Sequence, residues 1–396
     1  MEVDKTRIYR LAIDGHVLLQ SEKTGVGQTA QYLIDELVKN RNFDIQINFV
    51  DFLMYRCWKI IKRYKKQGCR IKICWWMTYS LYAKLFERFK IPYFFLFGRR
   101  NDATLFFEYQ VPFGVGTKVA DYVYDVNYKV FPETVDELAL KWLDEKLPLY
   151  CERSDVIITI SEFSKKEIEK YLRIDSNKIH VVPCGVDCKK YNGRIRSEQI
   201  NAVRRKYGIE SDYILYMGTL EPRKNIALLI EAYHFLTEQK DDLPTLVIAG
   251  KRGWMYEQLF QMVSDFGLKD QIVFTGYIED ADSAALMSGA VLFVFPSLYE
   301  GFGIPPLEAM ACGTPVIVSD AEALLETVGE AARSFRCGDS VDLSSRISQL
   351  LEDKEERRRL SSFGQEWAEK HTWEKAGEKL EAVLVGSFKE VVGNEE

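Results

Sequence analysis

The chain has 396 residues, 47% hydrophobic and 28% charged, which excludes a staple-dependent mini-protein and long disorder and points to two domains of roughly 150 to 200 residues each. Its net charge of −6 argues, as an average, against a nucleic-acid or membrane partner. The average hides one segment: Met54 to Arg100 holds thirteen Lys and Arg, thirteen aromatics and the single acid Glu87, a local charge of +12 that leaves −18 for the rest.

The amino-terminal stretch MEVDKTRIYRLAIDG carries acids and no apolar leader block, and the longest apolar stretch, near residues 91–98, is far short of the ~18 residues a spanning helix needs. A cytoplasmic protein is expected, peripheral on the inner membrane face if the basic segment meets lipid. The eight cysteines are scattered, and the close pair Cys184 and Cys188 lacks the partners of a zinc site, so reduced thiols and no metal are expected.

Apolar runs of strand length alternate with helical patterns along the chain, the βαβα rhythm of parallel sheets covered by helices. Strands are predicted at Ile8 to Asp14 and Ile45 to Asp51 around a helix from Gln28 to Lys39, then at Leu105 to Tyr109, Val156 to Ile160 and Ile179 to Val182. A helix starting near Ser164 with Glu167 three residues on reads as a capping box. The pattern pauses over Asn192 to Asn201 and resumes with strands at Tyr213 to Met217, Leu246 to Ala249, Ile272 to Thr275, Val291 to Phe295 and Val316 to Ser319. Two such halves make an α/β protein with a cleft between the carboxyl ends of two sheets, where ligands of open sheets bind.

Two stretches carry chemistry. Gly218-Thr219-Leu220-Glu221-Pro222-Arg223-Lys224-Asn225 lies between a strand and a helix, so two cations join the positive end of a helix and suit a phosphate or diphosphate. The blander alternative is that Asn225 caps the helix while the cations are solvated. The second stretch, Phe295 to Gly313, follows a buried strand, turns through Gly301 and Gly303 and opens a helix with proline in its first turn. The glycines let backbone amides approach an oxygen-rich ligand, and Glu300 and Glu308, eight residues apart, can each grip a diol.

These residues resemble glycosyltransferase family 4, the retaining nucleotide-sugar-dependent transferases of GT-B fold, over nearly the whole chain. Glu300 and Glu308 match that family's E-x7-E signature, GTLEPRKN its diphosphate loop, TGVG (Thr24 to Gly27) its glycine loop, and TISEFSKKEI and VVPCGVD its marker stretches. The resemblance implies two Rossmann-like domains facing each other across a cleft: residues 1–195 binding the acceptor, 196–375 binding the nucleotide-sugar, and a helix over 376–396 crossing back to the first. It further implies that Arg223, Lys224, Thr219 and Gly27 hold the donor diphosphate and that Glu308 binds the ribose. Glu300 with Gly301, Phe302, Gly303 and Ile304 would hold the donor sugar, and Lys251, Tyr277 and Ile278 would frame the base. Gly25, His16 and Tyr124 would face the acceptor, with Glu300 and Asp125 as the catalytic pair.

Two positions depart from the family pattern: Tyr124-Asp125 stands where many members carry His-Asp, and Thr219 where many carry Arg. A retaining transferase of this class needs no strong protein base, because a departing phosphate oxygen takes the acceptor proton on the same face, leaving positioning and charge stabilisation to the protein. The nucleotide-sugar is a substrate, GDP-mannose-like or UDP-glucose-like. With no Asp-x-Asp motif at a strand end, metal-independent transfer of a hexose to a saccharide acceptor is expected. Gly25 to Ala30 formally fits a dinucleotide fingerprint, but His16 to Thr24 separate it from the strand it should follow. The remaining alternatives are a GT-B epimerase or phosphorylase, or a non-catalytic nucleotide-sugar-binding protein docking on membranes.

The basic aromatic segment reads as two interfacial helices, one with Met54, Trp58 and Ile61 on a side, the next with Tyr82, Leu85, Phe86 and Phe89 at helical spacing. Docking of residues 54–100 on an anionic membrane, with a lipid-linked saccharide as acceptor, is expected in preference to nucleic acid; the competing role for these aromatics is the core of the first domain.

Overall fold

The computed structural model describes residues 7–19 and 25–389. Thr24 of the TGVG stretch lies outside them. The chain forms two compact units: Met1–Lys129, Val135–Pro183 and Trp373–Glu396 make the first, Val130–Thr134 and Cys184–Thr372 the second. The divisions at 183/184 and 372/373 differ from the 195/196 and 375/376 read from sequence. Val186 pairs with Thr372 and its N–H donates to the His371 carbonyl at 2.9 Å, so the chain has joined the second unit before the polar stretch begins. Trp373 stacks on Tyr32 of the first unit, centroids 4.9 Å apart.

The first unit holds a parallel seven-stranded sheet of β1 (Tyr9–Asp14), β2 (Phe43–Val50), β3 (Arg70–Cys74), β4 (Ala103–Phe106), β5 (Lys118–Tyr122), β6 (Val156–Thr159) and β7 (Ile179–Val181) in the order β3-β2-β1-β4-β5-β6-β7. Strands of a parallel sheet buried on both faces read as near-continuous apolar runs, as β4 (ATLF) and β6 (VIIT) do. Two strands escaped that reading. β3 is an edge strand whose Arg70 and Lys72 interrupt the apolar pattern, and β5 carries Asp121, fully buried, whose carboxyl is pushed well up by that burial. The helix after β6 spans Glu162–Leu172 and is capped by Ser161, whose hydroxyl accepts from the Ser164 amide at 2.9 Å. Ser164 therefore sits inside the first turn and is not the cap.

The second unit holds a parallel six-stranded sheet of β8 (Tyr213–Met217), β9 (Thr245–Ala249), β10 (Ile272–Gly276), β11 (Leu292–Phe295), β12 (Val316–Ser319) and β13 (Arg333–Phe335), ordered β10-β9-β8-β11-β12-β13. The three-residue β13 has an exposed Arg and Ser and gave no sequence signal. Three loops are stitched together at the carboxyl edge: Gly218 donates to the Ala249 carbonyl (2.9 Å), Leu220 to Lys251 (2.9 Å) and Gly250 to Gly276 (2.9 Å). Gly250 has φ +148, and a Cβ there would lie 1.8 Å from the Gly218 carbonyl oxygen. Gly250→Ala should therefore destabilise this unit by about 3 kcal/mol or more, read as a lower urea midpoint. An unchanged midpoint would mean that these loops are not packed this way.

The basic aromatic segment divides between core and surface. Tyr82 and Phe86 of the helix Tyr79–Phe89 are buried in a cluster with Tyr93, Phe97 and Phe106, while Phe89 is exposed. The preceding helix begins only at Trp58 and runs to Lys66. Met54 lies outside it with φ 57, so Met54, Trp58 and Ile61 do not form one helical side: Ile61 is buried and Trp58 exposed. No helix of the described residues is long and apolar enough to cross a membrane.

Candidate functional site

The order of the second sheet reverses direction between β8 and β11, which are paired neighbours (Ile214 with Leu292, Leu215 with Phe293). Loops leaving their carboxyl ends diverge to opposite faces and open the crevice in which doubly wound sheets bind ligands. Both chemical stretches leave the sheet here, Gly218 to Asn225 after β8 and Pro296 to Gly303 after β11, so residues 76 apart in sequence meet. Lys224 Nζ lies 2.5 Å from Glu300 Oε1, and the Arg223 guanidinium lies 2.9 Å from Glu300 Oε2. Arg223 also donates to the Tyr299 carbonyl at 2.7 Å and to the Glu221 carboxylate at 2.8 Å, while its own carbonyl accepts from the Leu298 amide at 2.9 Å. The two loops are thereby held against each other by both side chain and backbone.

Burial of Glu300 would by itself push its carboxyl up, but the charges of Arg223 and Lys224 outweigh that and hold it at about 2. Between pH 4.5, the ordinary value, and about 2 the unfolded chain thus carries the proton that the folded one lacks. The stabilisation from this cluster should be complete above pH 4.5 and fall as pH drops toward 2. Glu300→Gln should flatten that part of the stability profile in acid unfolding; an unchanged slope would contradict the ion-pair assignment.

Asn225, a cap candidate by sequence, makes no side-chain capping bond to the helix Ile226–Thr237 and instead takes a left-handed turn with φ 52. Gly303, φ +125, starts the helix Ile304–Ala311 with no side chain to cap it, and Thr327 Oγ1 fixes the turn by donating to the Phe302 carbonyl at 2.9 Å. Gly301, Phe302 and Gly303 are buried and Ile304 is half-buried, so a ligand meets backbone at this turn. Glu308, on the second turn of that helix, is 6% exposed and faces the Tyr191 hydroxyl, whose proton is held more tightly by burial and by the Glu308 charge. The loop stitching brings Thr219 and Lys251 to the same edge, where Tyr277 is exposed and Ile278 buried. Glu221, Tyr299 and Tyr191 were not singled out from sequence. Glu221 lies within the quoted loop, while Tyr191 gave no signal, because its link to Glu308 exists only in three dimensions.

In the first unit, His16 follows β1, Gly25 and Gly27 open the helix Gly25–Lys39, and Tyr124 and Asp125 follow β5. The His16 ring stacks on Tyr79 at 3.4 Å; burial and then the Arg56 charge lower its pKa to about 4, so the ring is neutral near pH 7. It lines a pocket of about 540 Å³ with Asp51, Phe52, Leu53, Arg56 and Thr78. Buried Tyr124 packs edge-on against Tyr109, and the Asp125 carboxylate accepts from the Asn127 amide at 3.1 Å, closing the turn into a short helix.

The family description "Glycosyl transferases group 1" matches residues 199–367, and "Glycosyltransferase Family 4" matches residues 125–190. The chain is 32% identical over 253 residues to O-antigen chain mannosyltransferase B of Escherichia coli, covering 63% of this chain and 66% of that one. The chain spans about two thirds or less of the length of the curated relatives it matches. Among solved structures it resembles sucrose-phosphate synthase from Thermosynechococcus elongatus (TM-score 0.72, 20% identity, 97% of this chain and 100% of that one). It also resembles Anabaena HepE in complex with UDP (TM-score 0.69, 17% identity, 96% and 100%), a likeness of fold. The family matches fall on both sides of the switch-point sheet and include it, and the fold likeness runs along almost all of the chain; the protein belongs to the glycosyltransferase family 4 type with the GT-B fold.

Proposed function

We propose that the protein is a retaining hexosyltransferase that moves a sugar, mannose in first place, from a nucleotide-sugar to a saccharide acceptor in polysaccharide or glycoconjugate synthesis. The observation that carries this reading is the Arg223–Lys224–Glu300 cluster at the switch point, where two half-buried cations paired with a buried carboxylate precede a helix with no side-chain cap. A diphosphate arriving there replaces the carboxylate as their counter-charge, and Glu300, freed on one side, turns to the donor sugar's hydroxyls beside the amides of Gly301 to Gly303. Glu308 takes the ribose, Lys251, Tyr277 and Ile278 frame the base, and Thr219 completes the phosphate cradle. The preference for mannose follows from the O-antigen mannosyltransferase relative.

In the reaction, the acceptor hydroxyl oxygen bonds to the anomeric carbon as the bond to the diphosphate oxygen breaks. The proton passes to that departing oxygen, so the electron balance closes without a protein base. Arg223 and Lys224 stabilise the charge growing on the leaving group, an arrangement worth most where water is excluded. The acceptor lies against the first unit near His16, Gly25, Tyr124 and Asp125, and is lipid-linked, presented at the inner membrane face.

The test is to incubate the purified protein with GDP-mannose or UDP-glucose and a saccharide acceptor and to read the product's anomeric configuration by NMR. Transfer with retention is expected, with thermal shifts ranking GDP, UDP and dTDP. Hydrolysis or epimerisation of every donor without transfer, or an inverted product, would sink the proposal.

A further inference from the structure

We propose that the loop Phe52 to Tyr55, together with the tryptophans beside it, is an insertion edge that dips into an anionic lipid bilayer; this rests on the reading of a lipid-linked acceptor and names the surface that meets the lipid. Strands β2 and β3 end at the same edge of the first sheet, and their following loops are tied together: the Asp51 amide donates to the Cys74 carbonyl at 3.1 Å and the Leu53 amide to the Trp75 carbonyl at 2.9 Å. The buried Asp51 carboxylate accepts from the amides of Arg56 and Cys57, both at 2.8 Å, which pins the base of a four-residue excursion.

At the tip of that excursion, Leu53 and Met54 both hold left-handed backbone, φ 54 and 57. Turns of this kind select Gly, Asn or Asp, and an apolar side chain there is strained. These two apolar side chains point outward: Leu53 is 63% and Tyr55 89% exposed, and Phe52 and Met54 are exposed as well. Three of the chain's seven tryptophans, Trp58, Trp75 and Trp76, flank the loop with more than half of their surface exposed. Strain that sets apolar groups into water has no return within the folded chain, and acquires one when a hydrocarbon phase covers them.

The charge says which phase. The helix Trp58–Lys66 starts beside the loop and carries five exposed cations, of which Arg63 alone has an acid, Asp35, in ion-pair reach among the described residues. Apolar side chains form the tip, tryptophans flank it, and Arg56 and Lys59 lie just behind. This is the depth order of acyl chains, headgroup boundary and anionic phosphates. A single-stranded nucleic acid would instead call for cations interleaved with stacking rings along a groove. The pocket of about 540 Å³ beside His16 is lined by Phe52, Leu53 and Arg56 themselves, so an acceptor held in the bilayer meets it at the insertion edge.

Co-sedimentation with phosphatidylglycerol–phosphatidylcholine vesicles at low salt, with no donor or acceptor present, tests this apart from any sugar chemistry. The wild-type chain should bind those vesicles and bind phosphatidylcholine alone weakly, with a blue shift of tryptophan emission on binding. Leu53→Ser and Trp75→Ser should each weaken binding about tenfold or more, and Lys59→Glu with Lys62→Glu should abolish the preference for anionic lipid. Val341→Ser, an exposed apolar change in the second unit, and Glu300→Gln should bind as the wild type does. Should Leu53→Ser melt early, the charge-reversal pair and the wild-type emission shift decide. The proposal is overturned if the wild type stays in the supernatant, if Leu53→Ser and Trp75→Ser sediment unchanged, or if an oligonucleotide binds while vesicles do not. Loss of vesicle binding with transfer to a soluble acceptor intact would sink the membrane edge alone, and the converse would sink the transferase reading alone.

Discussion

Glu300→Gln is expected to lower kcat for sugar transfer by about 10²- to 10³-fold while leaving the donor KM unchanged or lower. The substitution keeps the side chain's shape and removes its charge. In the structure that charge is a counter-ion of both Arg223 and Lys224, so its loss leaves Lys224 unneutralised and Arg223 with Glu221 alone, and the pair more attractive to a diphosphate. If Glu300 served only as their counter-ion, donor binding would tighten and turnover would survive. If it also orients the donor sugar, as proposed, turnover collapses although binding does not. Steady-state kinetics with the preferred donor separates the two, and a variant with wild-type kcat would remove Glu300 from the reaction.

The second large effect concerns stability as well as activity. Lys224→Met should destabilise the second unit by about 3 kcal/mol or more, because it strands a buried carboxylate with only part of its compensation. Glu300 is 8% exposed, and its low pKa depends on both neighbours. Adding Glu300→Gln to Lys224→Met should therefore restore much of the lost stability, a strongly non-additive double-mutant cycle by urea unfolding. Transfer should stay lost in both variants, since the leaving diphosphate no longer meets the Lys224 charge. Additive stabilities would mean that the two side chains are not a coupled pair.

How legible each element is in the sequence has physical causes that particular residues show. Strands such as Tyr213–Met217 and Val316–Ser319 are buried on both faces, so their apolar runs are unbroken and their positions were legible. β3 and β5 were not, because an edge strand tolerates Arg70 and Lys72, and because Asp121 is hidden behind a raised pKa that no one-dimensional pattern displays. The helix cap was misplaced by three residues since Ser161 and Ser164 are equally good caps on paper; the end of β6 selects the first. Met54 falls outside the helix that its helical spacing with Trp58 and Ile61 suggests, because residues 53 and 54 hold left-handed backbone.

The residues of the candidate site were mostly local in sequence. Glycine where backbone must approach a ligand, paired acids eight residues apart and two cations before a helix are requirements of bonding geometry, and each set stays within one stretch of chain, although the two stretches lie 76 residues apart. By itself the sequence determined the α/β class, the family resemblance and the two stretches bearing the chemistry, because periodicity and turn chemistry are short-range. Tertiary structure alone decided that Lys224 and Arg223 are already paired with Glu300, that Tyr191 faces Glu308, and that the aromatics of the basic segment divide between a core around Phe86 and an exposed edge at Leu53. Those outcomes depend on which strands become neighbours, and strand order is set by the free energy of burying whole faces at once, a quantity that no window of sequence contains.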